Sequence, residues 1–339
     1  MQEIVYREEI EVSKVYKEAY LNGIKNLIAQ REQSAVFKRD QFCKDIFSDT
    51  SKYRDVFKET LGWPLTEKKD MSVPNAKIEK LADDKSGSIY RISVEVLDGL
   101  YMTGLLFQKD EKKRPLVIAQ HGGLGTPELV GNLYGDTSNY NHMIERMLTY
   151  DVNIFAPQLL IWDAAYNVEY DRAALDAQLK RVGSSITALE LYGLSRILDY
   201  FETQKYVSNF GMVGLSYGGF YTLFLAAVDT RIKSAVSCSF FSNRKNYAWN
   251  DWTWFRCAET FSDAEIACLI YPRKLCIEVG TEDALFDIQS AREEICRLKD
   301  LSAVVGYDWL EVIEFEGIHE FCLEEAPLRK LAEELQCEY

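Results

Sequence analysis

The segment Phe210-Gly211-Met212-Val213-Gly214-Leu215-Ser216-Tyr217-Gly218-Gly219, running on into the apolar stretch 220–227, decides how the chain is read. A strand-like run enters a turn that has glycines two before and two after a serine. A second apolar run of helical length follows. That is the setting in which a G-x-S-x-G serine is held in a strained backbone with its hydroxyl lifted above the sheet edge. Ser216 is therefore the candidate nucleophile. A serine hydroxyl is weak at neutral pH and needs a base, which in turn needs an orienting acid.

The search for the base is short, because the chain has only three histidines, His121, His142 and His319. On a sheet of this kind the chain order is serine, acid, histidine, and only His319 follows Ser216. It stands in Glu316-Gly317-Ile318-His319-Glu320, directly after a strand-like run at 309–315. The acid is expected after the preceding run, 274–279, where Glu282, Asp283 and Asp287 compete. Asp283 falls at the turn just past the strand end and is the first choice. Asp287 is the second choice and otherwise reads as a helix N-cap, and Glu282 as a solvated side chain. His142 reads as structural.

Outward from this core, short apolar runs recur at 115–120, 152–157, 232–241, 274–279 and 309–315. Helical patterns separate most of them, near 137–150, 171–203, 218–228, 288–299 and 324–336. Buried runs alternating with helices predict a mostly parallel sheet covered on both faces. Residues 88–96 and 100–108 alternate around Asp98-Gly99 and predict an antiparallel hairpin leading into it. The expected fold is α/β, with antiparallel N-terminal strands and a helical N-terminal extension over 1–75, ahead of a catalytic domain over 76–339. In the extension, Tyr16, Tyr20, Ile24, Leu27 and Ile28 fall at helical spacing. Packing on the flank of the sheet is its simplest role, with shading of the site or a homodimer interface as the alternatives.

Attack on an acyl carbonyl creates an oxyanion that fixed donors must meet. The backbone N–H of Tyr217, next to the nucleophile, is one candidate donor. Gln120-His121-Gly122-Gly123-Leu124-Gly125 follows the strand at 116–119, and the N–H of Gly123 is the candidate for the other. His121 reads as positioning that loop. Inserts at 159–183 and 243–265 are candidate lids, and Trp162, Trp249, Trp252 and Trp254 are candidate substrate-stacking residues. The tryptophans of the second insert read equally well as the apolar face of a lid against the core.

Taken together, these motifs resemble the α/β-hydrolase superfamily. Within it they are similar to the dienelactone hydrolase and acetyl xylan esterase type of serine esterase, neighbours of the prolyl-oligopeptidase catalytic domains. The resemblance covers 88–339 and rests on the hairpin, Leu116–Gly123, Gly214–Gly219, Gly280–Asp283 and Gly317–Glu320. It implies an α/β-hydrolase fold, a Ser/Asp/His triad and no cofactor or metal. The dienelactone hydrolases proper carry Cys where Ser216 stands, which points away from dienelactone as substrate. The expected activity is cleavage of small or medium neutral esters. An aminopeptidase-like activity and a non-catalytic binding role are the alternatives.

Composition bounds the partners. With 39 Lys+Arg against 53 Asp+Glu the formal charge is −14, which disfavours nucleic acid and anionic membrane surfaces, both of which need clustered basic residues. The first residues show no basic-then-apolar pattern, so no secretory leader is expected. Eight cysteines without CxxC spacing read as buried thiols of a cytoplasmic protein.

Overall fold

The computed structural model describes residues 5–64, 72–135, 138–161, 168–247 and 249–337. Two helices lead, α1 (Ile10–Cys43) and α2 (Thr50–Leu61). Asp49 caps α2 by accepting the Lys52 N–H, and Gly62 ends it in the left-handed region at φ 78°.

Strands β1 (Ala76–Asp84), β2 (Gly87–Leu97) and β3 (Leu100–Gln108) form an antiparallel meander. They precede β4 (Arg114–Gln120), the short helices α3 (Pro127–Val130) and α4 (Met143–Met147), and β5 (Asn153–Pro157). Helices α5 (Arg172–Arg181) and α6 (Ile186–Glu202) follow, then β6 (Val207–Leu215), α7 (Tyr217–Val228) and β7 (Ile232–Cys238). The chain closes with α8 (Cys257–Thr260), α9 (Asp263–Cys268), β8 (Lys274–Gly280), α10 (Ile288–Ser302), β9 (Leu310–Phe315) and α11 (Ala326–Gln336).

Among the described residues the strands make one nine-stranded sheet in the order β1-β2-β3-β5-β4-β6-β7-β8-β9. The six strands from β5 to β9 in that order are mutually parallel. Every residue of β4, β5 and α7 is buried, as expected for central strands covered on both faces. One core layer packs α2, α6, α7 and α9 on the sheet; the other packs α4 and α11 on the opposite face. β4 and β6 lie side by side although β5 intervenes in sequence, so the strand order reverses there. The crevice beyond the carboxyl ends at such a reversal is where open α/β sheets bind ligands.

Three local expectations change. The expected hairpin gains a third strand, β1, ahead of it, which no alternation marked. Its residues are mostly charged and exposed, which is how an edge strand is kept from pairing further. The helical pattern over 171–203 is two helices. Gly183 takes φ 89° between them, and Ser185 starts α6 by accepting the Ala188 N–H at 3.0 Å. The pattern near 137–150 shrinks to a 3-10 turn and α4, with Asn141 and His142 at positive φ. His142 is exposed and pairs with Glu145.

Candidate active site

Four segments leave carboxyl ends of the parallel strands at that crevice. β6 delivers Ser216, which sits at φ 60° and ψ −122° between strand and helix. An L-residue seldom takes that conformation, and it persists because the surroundings over-determine it. The glycines are sterically required. A Cβ on Gly218 would lie 2.1 Å from the Gln120 carbonyl oxygen, and one on Gly214 would lie 2.3 Å from the Gly218 carbonyl oxygen. The Ser216 N–H donates to the Cys238 carbonyl at 2.9 Å, tying the turn to the end of β7.

β8 and β9 deliver the candidate acid, Asp283, and the candidate base, His319. Asp283 Oδ2 lies 2.8 Å from His319 Nδ1. Its other oxygen, Oδ1, accepts the N–H groups of Leu285 (2.8 Å) and Phe286 (2.9 Å), which fix the carboxylate. The Asp283 side chain is 1% exposed and the His319 side chain 23%. Asp287 instead caps α10 by accepting the Ser290 N–H at 2.9 Å, and Glu282 is exposed. The His319 loop is anchored on β7, because the Glu320 carbonyl accepts from Ser239 Oγ (3.0 Å) and Cys238 Sγ (3.4 Å). Cys238 thus holds both the Ser216 turn and the histidine loop.

β4 delivers the glycine loop. The Gly122 N–H donates to the Tyr140 hydroxyl at 2.8 Å, and a Cβ on Gly122 would stand 3.2 Å from Ser216 Cβ. The loop therefore lies against the serine, with the Gly122 amide engaged and Gly123 next in line. Tyr217 is the first residue of α7, where N–H groups point out of the helix end. His121 is buried in the loop. Its Nδ1–H donates to the Gly122 carbonyl (2.9 Å) and its Nε2 accepts from the Leu159 N–H (3.0 Å). Burial pushes its pKa down to about 4, so it is a neutral spacer between the β4 and β5 loops.

The tryptophans divide. Trp162 lies outside the described residues. Trp252 and Trp254 are buried, a correction to their reading as substrate-stacking residues. Both faces of Trp252 are covered, by Phe220 at 5.3 Å and Phe286 at 5.7 Å in near-parallel stacks. The apolar side of the 243–265 insert has been absorbed into the core. Trp249 is half-buried and stacks on Tyr217 at 5.8 Å. Phe286 in turn lies 5.6 Å from the His319 ring.

The sequence reading missed a buried polar network beside Ser216. Arg172, at the start of α5, donates to Asp251 Oδ2 (2.8 Å), Glu190 Oε2 (2.9 Å), the Tyr221 hydroxyl (2.8 Å) and the Leu160 carbonyl. The Tyr217 hydroxyl donates to the same Asp251 oxygen at 3.0 Å. One guanidinium thus links the insert, α6, the β5 loop and the residue that follows Ser216. Arg172→Ala leaves two buried carboxylates without their cation and should cost about 3–5 kcal/mol in a denaturant melt. Tyr217→Phe, which removes the hydrogen bond to Asp251, should cost about 1 kcal/mol.

Glu278 of β8 is a second buried group near the histidine loop. It pairs in register with Cys238, whose thiol lies beside its carboxyl; among the described residues neither carboxyl oxygen meets a donor in full hydrogen-bond geometry. Burial pushes its pKa up from 4.5 to about 8. The folded chain therefore holds this proton more tightly than the unfolded chain does. The associated stability is complete below pH 4.5 and is lost as the pH rises through 8. Glu278→Gln should gain on the wild type across that window, by on the order of 4 kcal/mol between pH 5 and pH 9. Urea midpoints at the two pH values measure the gain.

Neither protein-family models nor curated protein sequences yield a match to the chain. Solved structures do. The glucuronoyl esterase from Solibacter usitatus superposes with a TM-score of 0.63 at 14% identity, over 86% of this chain and 94% of that one. A Bacteroides fragilis NCTC 9343 protein for which acetyl xylan esterase activity has been suggested gives 0.66 at 16% identity, over 88% and 84%. The acetyl xylan esterase from Paenibacillus sp. R4 gives 0.54 at 18% identity, over 84% and 93%. At these identities the likeness is one of fold.

Proposed function

The chain has the α/β-hydrolase fold, and on that fold we propose that it is a serine esterase working through an acyl-enzyme. Ser216 Oγ attacks the ester carbonyl while His319 takes its proton. The N–H groups of Tyr217 and Gly123 receive the oxyanion, and one such donor is typically worth about 2.7–4 kcal/mol. His319 then protonates the leaving alcohol. In the second step it deprotonates a water molecule, which attacks the acyl-enzyme and releases the acid. Asp283 holds the imidazole with Nδ1–H toward itself and stabilises the imidazolium as it forms.

The observation that carries this reading is the Asp283–His319 pair at 2.8 Å, on a loop tied through Cys238 to the strained Ser216 turn. The fold's esterase neighbours support it. Several features favour a neutral substrate of small or medium size. The chain is strongly acidic, which disfavours anionic esters. Half-buried Trp249, on Tyr217, offers an apolar surface beside the nucleophile. An apolar cleft of about 720 Å³, lined by Leu100, Met102, Leu175 and Leu179, also includes Leu159, whose N–H donates to His121. A panel of acetylated sugars, aryl esters and aminoacyl amides, run on the wild type and Ser216→Ala, tests the proposal. Serine-dependent turnover of esters over amides is expected. Turnover confined to the amides would replace the esterase reading with a peptidase one.

A further inference from the structure

The leading helix is only partly used by the fold. Among the described residues its polar ties to the body begin at Glu32, 3.7 Å from Lys245, and continue with Lys38 to Glu259, Arg39 Nη1 to the Ala258 carbonyl (3.0 Å), Asp40 to Arg297 (2.9 Å) and Cys43 Sγ to the Thr260 carbonyl (3.2 Å). Its buried residues, Ala35 and Cys43, lie in the same stretch. Residues 10–31 carry an apolar line into solvent. Tyr16 is 71% exposed, Tyr20 75% and Leu27 53%. A helix with so little tertiary support is marginal in water unless something packs on it.

The line has a symmetry that identifies what packs there. From the N-cap residue Glu9 along one face come Ser13, Tyr16, Tyr20, Ile24, Leu27 and Arg31, spaced 4, 3, 4, 4, 3 and 4 residues apart. The mean step matches the roughly 3.6 residues per turn of a straight helix, and the run is about 33 Å long. The spacing reads the same in both directions from Tyr20, with an acid at one end and a base at the other.

We propose that α1 is a homodimerisation arm, pairing antiparallel with α1 of a second copy about a two-fold axis at Tyr20. In that register Tyr20 meets Tyr20, Tyr16 meets Ile24, Ser13 meets Leu27, and Glu9 meets Arg31. The interface is isologous, as two-fold pairing requires. A parallel pair would set Glu9 on Glu9 and Arg31 on Arg31, so the end charges select the antiparallel arrangement. On and beside this face Val12, Tyr16, Tyr20, Ile24, Leu27 and Ile28 are 37% to 75% exposed. Together they offer on the order of 700 Å² per copy, close to the roughly 800 Å² per partner of a standard interface.

Light scattering on the full chain tests the arm, with no dependence on the esterase reading. The wild type should elute at twice the chain mass at tens of micromolar. Tyr16→Glu with Tyr20→Glu should elute as a monomer with an unchanged melting temperature. Under mild oxidation Tyr20→Cys should cross-link to itself through position 20. Tyr16→Cys should cross-link when mixed with Ile24→Cys and remain unlinked alone. A monomeric wild type, a dimer that survives the double glutamate variant, or self-linking of Tyr16→Cys would each overturn the proposal.

Discussion

Ser216→Ala is expected to lower kcat/KM for p-nitrophenyl acetate by about 10⁴–10⁶-fold, while far-UV dichroism and the melting temperature stay those of the wild type. The size follows from the proposed role: without the hydroxyl no acyl-enzyme could form, and only binding and the proposed oxyanion donors would remain to assist water. Fold retention follows from the site, since the buried serine turn is held by backbone, through Ser216 N–H to Cys238 and Phe220 N–H to the Ser216 carbonyl at 2.9 Å. Alanine keeps both contacts. Ser216→Gly makes the companion case. At φ 60° glycine relieves the strain that serine bears, so this variant should be equally inactive yet more stable than Ser216→Ala by about 1–3 kcal/mol. A thermal melt of the pair reads the difference.

Asp283→Asn should reduce kcat by about 10³–10⁴-fold with little change in KM. An amide at Oδ2 can present N–H to His319 Nδ1, favouring the wrong imidazole tautomer and giving no charge to the imidazolium. The anchoring N–H groups of Leu285 and Phe286 keep their acceptor at Oδ1, so the loop should stay in place and the loss should fall on the chemical step. Asp287→Asn is the discriminating control. As the N-cap of α10 it should leave kcat within a few-fold, because asparagine caps about as well as aspartate. Asp287→Ala should cost about 1 kcal/mol of stability.

How much of this was legible in the sequence depends on whether the signal was local. The strained Ser216 turn was legible because the glycines that permit it lie within five residues. His319 was the candidate from chain order and the shortage of histidines, and the structure sets it against Asp283. Asp283 and Asp287 are four residues apart in one loop, and composition ranked them only by distance from the strand end. The structure separates them physically, by giving one to His319 and the other to the α10 amides. The Arg172 network was invisible because its members, Arg172, Glu190, Tyr221 and Asp251, are scattered over eighty residues and meet only through packing. The tryptophans of the insert were ambiguous for a related reason. An aromatic cluster has the same composition whether it lines a cleft or fills one, and Trp252 is decided by Phe220 and Phe286, both remote in sequence. β1 went unseen because an edge strand built of lysines and acids has no alternation to read. The exposed line on α1 was visible as helical spacing. That the fold would leave it uncovered was not.

The most direct measurement of the central claim is active-site labelling. The intact chain, treated with a fluorophosphonate and digested, should yield a single phosphonylated peptide with the adduct on Ser216, and Ser216→Ala should yield none. Phosphonylation needs a serine activated by its base, so it reports on the Ser216–His319–Asp283 assembly without knowledge of the natural ester. A folded wild type that takes no label, or one whose label sits on another residue and persists in Ser216→Ala, would contradict the account.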